Sequence, residues 1–151
     1  MELFHTSAEE IKSISADGRF GEFLFFSTKV YAMTAGKHVT YKIDLSEDDV
    51  IEASQLFFHE GAGKLDTLVA SLAARLGVDA ETAEALIEES SSVFDIDSIE
   101  SEDAAEASWT VQHFTARAAK LLGFRAVRVQ DEQGSAYMID MLGREAELAA
   151  A

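Results

Sequence analysis

The spacing of apolar and polar residues changes period twice along the chain, and those two changes outline the expected fold. Near the N-terminus, "ELFHTS" (2–7) reads as a short first strand. "SAEEIKSIS" follows, with Ser7 as N-cap and Glu10 three residues on, the capping-box spacing that starts a short helix. After a turn at Asp17-Gly18, "EFLFFS" is apolar on both faces, as a strand covered on both sides should be. "TKVYAMTAG" predicts a short helix closed by Gly36. In "VTYKIDL" the alternation is clean, and Val39, Tyr41, Ile43 and Leu45 share one face.

The period then becomes helical. "KLDTLVASLAARLG" sets Leu65, Leu68, Val69, Leu72 and Leu76 on one stripe and ends at Gly77. "DAETAEALIEESSSVF" predicts a second helix capped by Asp79. "SEDAAEASWTVQHFTARAAKLLG" predicts a third, with Val111, Phe114, Ala118 and Leu121 on one face and a stop at Gly123. Period two returns in "FRAVRV" and "AYMIDML". The Gly-containing gap between them predicts a hairpin. Strands at both ends with helices between predict an α+β domain whose small sheet joins the two ends of the chain. The helical stretch, about residues 46–119, reads as an insertion on that frame.

Composition adds mostly exclusions. A chain of 151 residues, 48% hydrophobic, holds enough apolar material for one domain with a core, and no Pro, repeat or low-complexity linker marks a boundary within 1–151. The apolar run Phe23-Leu24-Phe25-Phe26 is far too short to cross a bilayer, and no signal-peptide pattern opens the chain. With no Cys there is no disulfide framework, thiolate zinc cluster or thiol nucleophile. His5, His38, His59 and His113 show no paired ligand spacing, so no metal site is expected. These features predict a soluble intracellular protein.

Charge changes the picture more. The net charge is −16, and from Asp44 to Glu106 there are eighteen acids against two bases, Lys64 and Arg75. That segment carries the whole −16, because the remaining ten acids and ten bases cancel. Such a field repels nucleic acid and membrane surfaces and attracts basic protein surfaces. It is either a solvated helical face or a docking surface for a protein whose basic groove normally holds nucleic acid.

Three places carry candidate chemistry. Along "FRAVRVQD", Val127, Val129 and Asp131 fall on one face, while Glu132 points the other way. An Asp continuing an apolar row is either turn chemistry or the lining of a cleft. His5 shares a strand face with Leu3 and is either a hydrogen-bonded structural group or a site residue. Phe23, Phe25 and Phe26 are core, or a stacking wall for a flat ligand.

Taken in order, "ELFHTS", "GEFLFFSTKVYAMTAG", "VTYKIDL" and "LGFRAVRVQDEQGSAYMIDM" resemble the ADP-ribosyltransferase plan. That family places a His at the end of its first strand, an aromatic-rich second strand leading into a short helix, and an acid on a late strand. "MELFHTSAEEI" and the late "LGF…V…DEQG" hairpin are similar, more closely, to phage anti-CRISPR ADP-ribosyltransferases acting on type I-F CRISPR surveillance complexes. The likeness covers roughly residues 1–45 and 118–142.

The resemblance implies NAD as the cofactor substrate, a site at residues from both ends, and a host bacterial cytoplasm as the place of action. His5 would hydrogen-bond a ribose hydroxyl of NAD. Thr6, where many relatives have Gly, would offer its backbone to the nicotinamide amide, with Ser7 beside it. Phe25 would take the position of the family's stacking Tyr, and Tyr31 would supply a second ring. Arg19 is a candidate partner for the pyrophosphate. Asp131 or the adjacent Glu132 would be the catalytic carboxylate; the period-two row and the resemblance both favour Asp131. Cleaving the nicotinamide–ribose bond leaves positive charge on the ribose, which a carboxylate in a low-dielectric cleft stabilises. The implied partner is the large subunit of the surveillance complex that reads the short motif flanking the target DNA, the PAM, with no nucleic acid contacted directly. A contrasting reading keeps the fold, loses the NAD chemistry and makes the acidic helices a DNA mimic that occupies a basic groove.

Overall fold

A computed structural model describes residues 2–7, 23–28, 39–97, 99–100, 102–131, 134–141 and 144–150. The predicted capping-box helix after Ser7, the predicted Asp17-Gly18 turn with Arg19, the predicted helix containing Tyr31, and Glu132 lie outside them. Seven strands are described: β1 (Glu2–Ser7), β2 (Phe23–Phe26), β3 (Val39–Asp44), β4 (Val50–Glu52), β5 (Ala126–Asp131), β6 (Gly134–Asp140) and β7 (Ala149–Ala150). Three α-helices join them: α1 (Asp66–Leu76), α2 (Ala80–Ile87) and α3 (Ala104–Leu121).

The strands form two sheets rather than the one small sheet expected. One has the order β1-β3-β7 and the other β2-β6-β5-β4. All neighbours are antiparallel except β4 and β5, which run parallel. Among the described residues the sheets are stitched by one bridge, where the Phe4 amide donates to Ser27 O at 2.8 Å and the Ser27 amide to Phe4 O at 2.9 Å.

Period two explains the layering. Phe23, Val127, Val129, Ala136 and Met138 join the helix-side core, with Phe25 packed against it. Phe26, Ala126, Tyr137 and Ile139 face the opposite way and meet Leu3 and Ile43 of the first sheet, with Leu24 packed against them. The four-stranded sheet is therefore covered on both faces, as "EFLFFS" predicted. On β3 the alternation holds, with Tyr41, Ile43 and Leu45 buried between exposed Lys42 and Asp44.

The helices are part of this core. Leu68, Val69 and Leu72 of α1, Leu86 and Ile87 of α2, and Val111 and Phe114 of α3 are buried in one cluster with β5 and β6. The acidic stretch is thus one face of a layer whose other face is apolar, not a peripheral appendage. α1 ends on Gly77 in the left-handed region at φ 67°, as predicted. Asp79 caps α2, its Oδ1 accepting from the Thr82 amide at 2.7 Å. Hydrogen bonding to Thr82 holds the Asp79 carboxyl below its ordinary range.

Three expectations are corrected. The second helix stops at Ile87 instead of running toward Phe94. The serines that follow satisfy backbone groups locally: Ser90 Oγ donates to Ala85 O, and Ser92 Oγ accepts from the Phe94 amide. Leu121 is 48% exposed, while Val111, Phe114 and Ala118 keep the buried stripe. The "acidic helical" middle also holds a strand, β4, whose three residues are too few to show a period.

Candidate active site

His5 is the best-defined group of the predicted site. It lies one step past the Phe4–Ser27 bridge, on β1 opposite Tyr41 of β3. Its Nδ1 sits 2.6 Å from Phe25 O, and its ring centroid is 5.5 Å from that of Phe26. A carbonyl oxygen only accepts, so Nδ1 carries the proton and donates. Burial pushes the His5 pKa below its ordinary value of about 6.5, opposed by the bond to Phe25. At neutral pH the imidazole is therefore uncharged, and its Nε2 is an acceptor by tautomer. A neutral, oriented imidazole of this kind can accept a hydrogen bond from a hydroxyl.

Phe25 meets His5 through its backbone. Its half-buried ring packs on the helix side of the sheet, whereas the His5 ring packs against Phe26, which faces the first sheet. Phe26 and the Phe25 carbonyl, which hold His5, were not singled out from the sequence for this task. A backbone carbonyl has no sequence letter, and the residue pattern marks Phe26 as core or as a stacking wall for a ligand, not as a support for a histidine. Thr6 and Ser7 continue β1, paired with Thr40 and Val39.

Asp131 is the last residue of β5, paired with Gly134 at the start of β6. The row across the sheet runs Phe26–Tyr137–Arg128, so Asp131 lies three positions beyond that level and β6 lies between β5 and β2. Strand spacing and rise put the Phe26 and Asp131 backbones on the order of 10–15 Å apart. The structure thus joins His5 to the Phe25 carbonyl and sets the Asp131 backbone in the same sheet as Phe25, two strands away. Val127 and Val129 are buried at 0% and 3%, and position 131 is the next in their row.

Sequence comparison decides what such a frame belongs to. The family described as "Anti-CRISPR Type I-F ADP-ribosyltransferase AcrIF11" matches residues 1–145. The chain belongs to this family. It is accordingly an ADP-ribosyltransferase, an NAD-dependent transferase, of the anti-CRISPR type I-F class. A solved structure described as the crystal structure of an anti-CRISPR protein has a similar fold, with a TM-score of 0.55 at 24% identity over 92% of this chain and 88% of that one. No curated protein matches the chain in sequence. Family membership favours catalysis over the DNA-mimic reading. No described helix is long and apolar enough to cross a membrane.

Proposed function

We propose that the chain, as one ADP-ribosyltransferase domain over 1–151, transfers ADP-ribose from NAD onto the PAM-reading large subunit of a type I-F CRISPR surveillance complex in the bacterial cytoplasm. The observation that carries the reading is the neutral His5, oriented by Phe25 O one residue past the bridge that joins the two sheets. A ribose hydroxyl donating to its Nε2 anchors the nicotinamide ribose there. The backbone of Thr6 and Ser7 offers amide contacts, and the aromatic residues Phe25 and Tyr31 hold the nicotinamide end.

Asp131 is the carboxylate of this reading, with Glu132 as the alternative. In the reaction the C1′–N bond breaks, its electron pair leaves with neutral nicotinamide, and C1′ bonds the acceptor atom, which loses a proton. A carboxylate near C1′ stabilises the positive ribose and supplies a base for that proton. The acidic α1–α3 face orients the basic surface of the target. The test is nicotinamide release in the presence of the complex, compared for the wild type, Asp131→Ala and Glu132→Ala. Loss in the Asp131 variant alone supports the assignment. Full activity in both variants overturns it.

A further inference from the structure

Between β5 and the helices lies a cleft of about 400 Å³ that the NAD reading does not use. It is lined by the end of α2, the segment after it, α3 and Val129, two residues before Asp131 in the same strand row. Two residues of strand span about 7 Å, so the Val129 wall of the cleft lies about that far along β5 from position 131. Its polar lining includes Glu89, Asp95, Ser90, Ser92 and Gln112, and none of the described residues lining it is basic.

Glu89 occupies an unusual position. The Ser90 amide donates to Ala85 O and the Glu89 amide to Leu86 O, which makes the α2 terminus a Schellman turn with Glu89 at its left-handed position. Glu89 has φ 64°, the only positive φ on a non-glycine among the described residues. Glycine is the ordinary occupant of that position, because a Cβ crowds the backbone there. Phe94, between the lining residues Val93 and Asp95, is 70% exposed. An acidic cleft with an exposed aromatic at its rim fits a protein contact better than a dinucleotide, whose pyrophosphate would meet two carboxylates.

We propose that this cleft is an acceptor-side subsite, which binds an arginine or lysine side chain of the protein substrate next to the residue that receives ADP-ribose. The inference rests on the transferase reading above and specifies how that transferase recognises its substrate. The carboxylates of Glu89 and Asp95 attract the cation, and the serine hydroxyls and Gln112 accept its remaining N–H groups. Seating that side chain sets the acceptor at the end of β5.

The test measures initial rates of ADP-ribosyl incorporation against concentration of purified type I-F surveillance complex, and NAD affinity by calorimetry, for the wild type, Glu89→Gly and Asp95→Asn. Glu89→Gly removes the carboxylate and suits the left-handed backbone, so misfolding does not confuse its result. A roughly tenfold higher KM for the complex in each variant, with NAD affinity unchanged, is the expected outcome. Unchanged KM in both variants overturns the subsite while leaving the transferase reading intact. A parallel loss of NAD affinity also overturns it, because the cleft then belongs to the NAD site. If the wild type neither binds NAD nor modifies the complex, the transferase reading fails and the subsite with it.

Discussion

The β1–β2 junction and the cleft beside α2 are built from opposite materials. At the junction, a histidine is held by a backbone carbonyl and an aromatic ring, and burial keeps it neutral. At the cleft, carboxylates and hydroxyls line a solvent-facing groove on helices whose other side is core. The residues outside Asp44–Glu106 sum to zero charge, whereas that segment carries −16. The contrast suits the division of labour proposed above, in which a low-dielectric frame fixes the geometry of bond cleavage and a charged helical layer steers the protein substrate. Mutations in the two regions should therefore separate kinetically, the first acting on NAD turnover and the second on recognition of the complex.

The largest effect belongs to the carboxylate. Asp131→Ala is expected to lower transfer by at least about 100- to 1000-fold, in line with removal of one preorganised electrostatic group. Binding to the complex, followed by gel filtration, should be retained. Next comes the junction: His5→Ala should lower kcat/KM for NAD by about 10- to 100-fold, the size of one buried hydrogen bond. The KM for the complex should not change.

The same histidine sets a pH dependence. Its folded pKa lies below the ordinary value of about 6.5, so the unfolded chain binds the extra proton first as pH falls. The contribution of His5 to stability is full above about 6.5 and is lost as pH falls from there through the folded pKa, whereas NAD affinity falls only around the folded pKa, where the native imidazole takes up its proton. Calorimetric NAD titrations from pH 7.5 downward check this, with His5→Gln expected to flatten the profile.

On the recognition side, reversing Glu88 and Asp97 to lysine should weaken binding to the complex about tenfold at low salt and much less at high salt. NAD turnover per bound complex should stay the same. The smallest effect is on stability. Glu89→Gly should stabilise the chain by about 1 kcal/mol, a Tm rise of a few degrees in a thermal melt, by relieving the left-handed backbone. A gain in stability joined to a loss in recognition would mark Glu89 as kept for contact rather than for folding.

Much of this architecture was legible because periodicity reports burial. The β3 alternation, the α1 stripe with its Gly77 stop and the Asp79 cap all stand where the residue pattern placed them. What escaped was decided by tertiary contacts. The three residues of β4 are a strand only because β5 pairs with them, and Ala149–Ala150 extends the first sheet despite alanine's weak strand preference. The end of α2 is set partly from α3, where the buried Thr115 hydroxyl lies 2.8 Å from Ile87 O. In the site, His5 and the Val127–Val129 row could be read from the strand period. The placing of the carbonyl that orients His5 and the cleft lined by Val129 exist only once distant segments pack.

The most direct measurement is intact-protein mass spectrometry of a purified type I-F surveillance complex after incubation with this protein, with and without NAD. The account predicts that the large PAM-reading subunit gains the mass of one ADP-ribosyl group, only with NAD and not with Asp131→Ala. Inhibition of DNA binding with no mass change, equally strong without NAD and with Asp131→Ala, would contradict it.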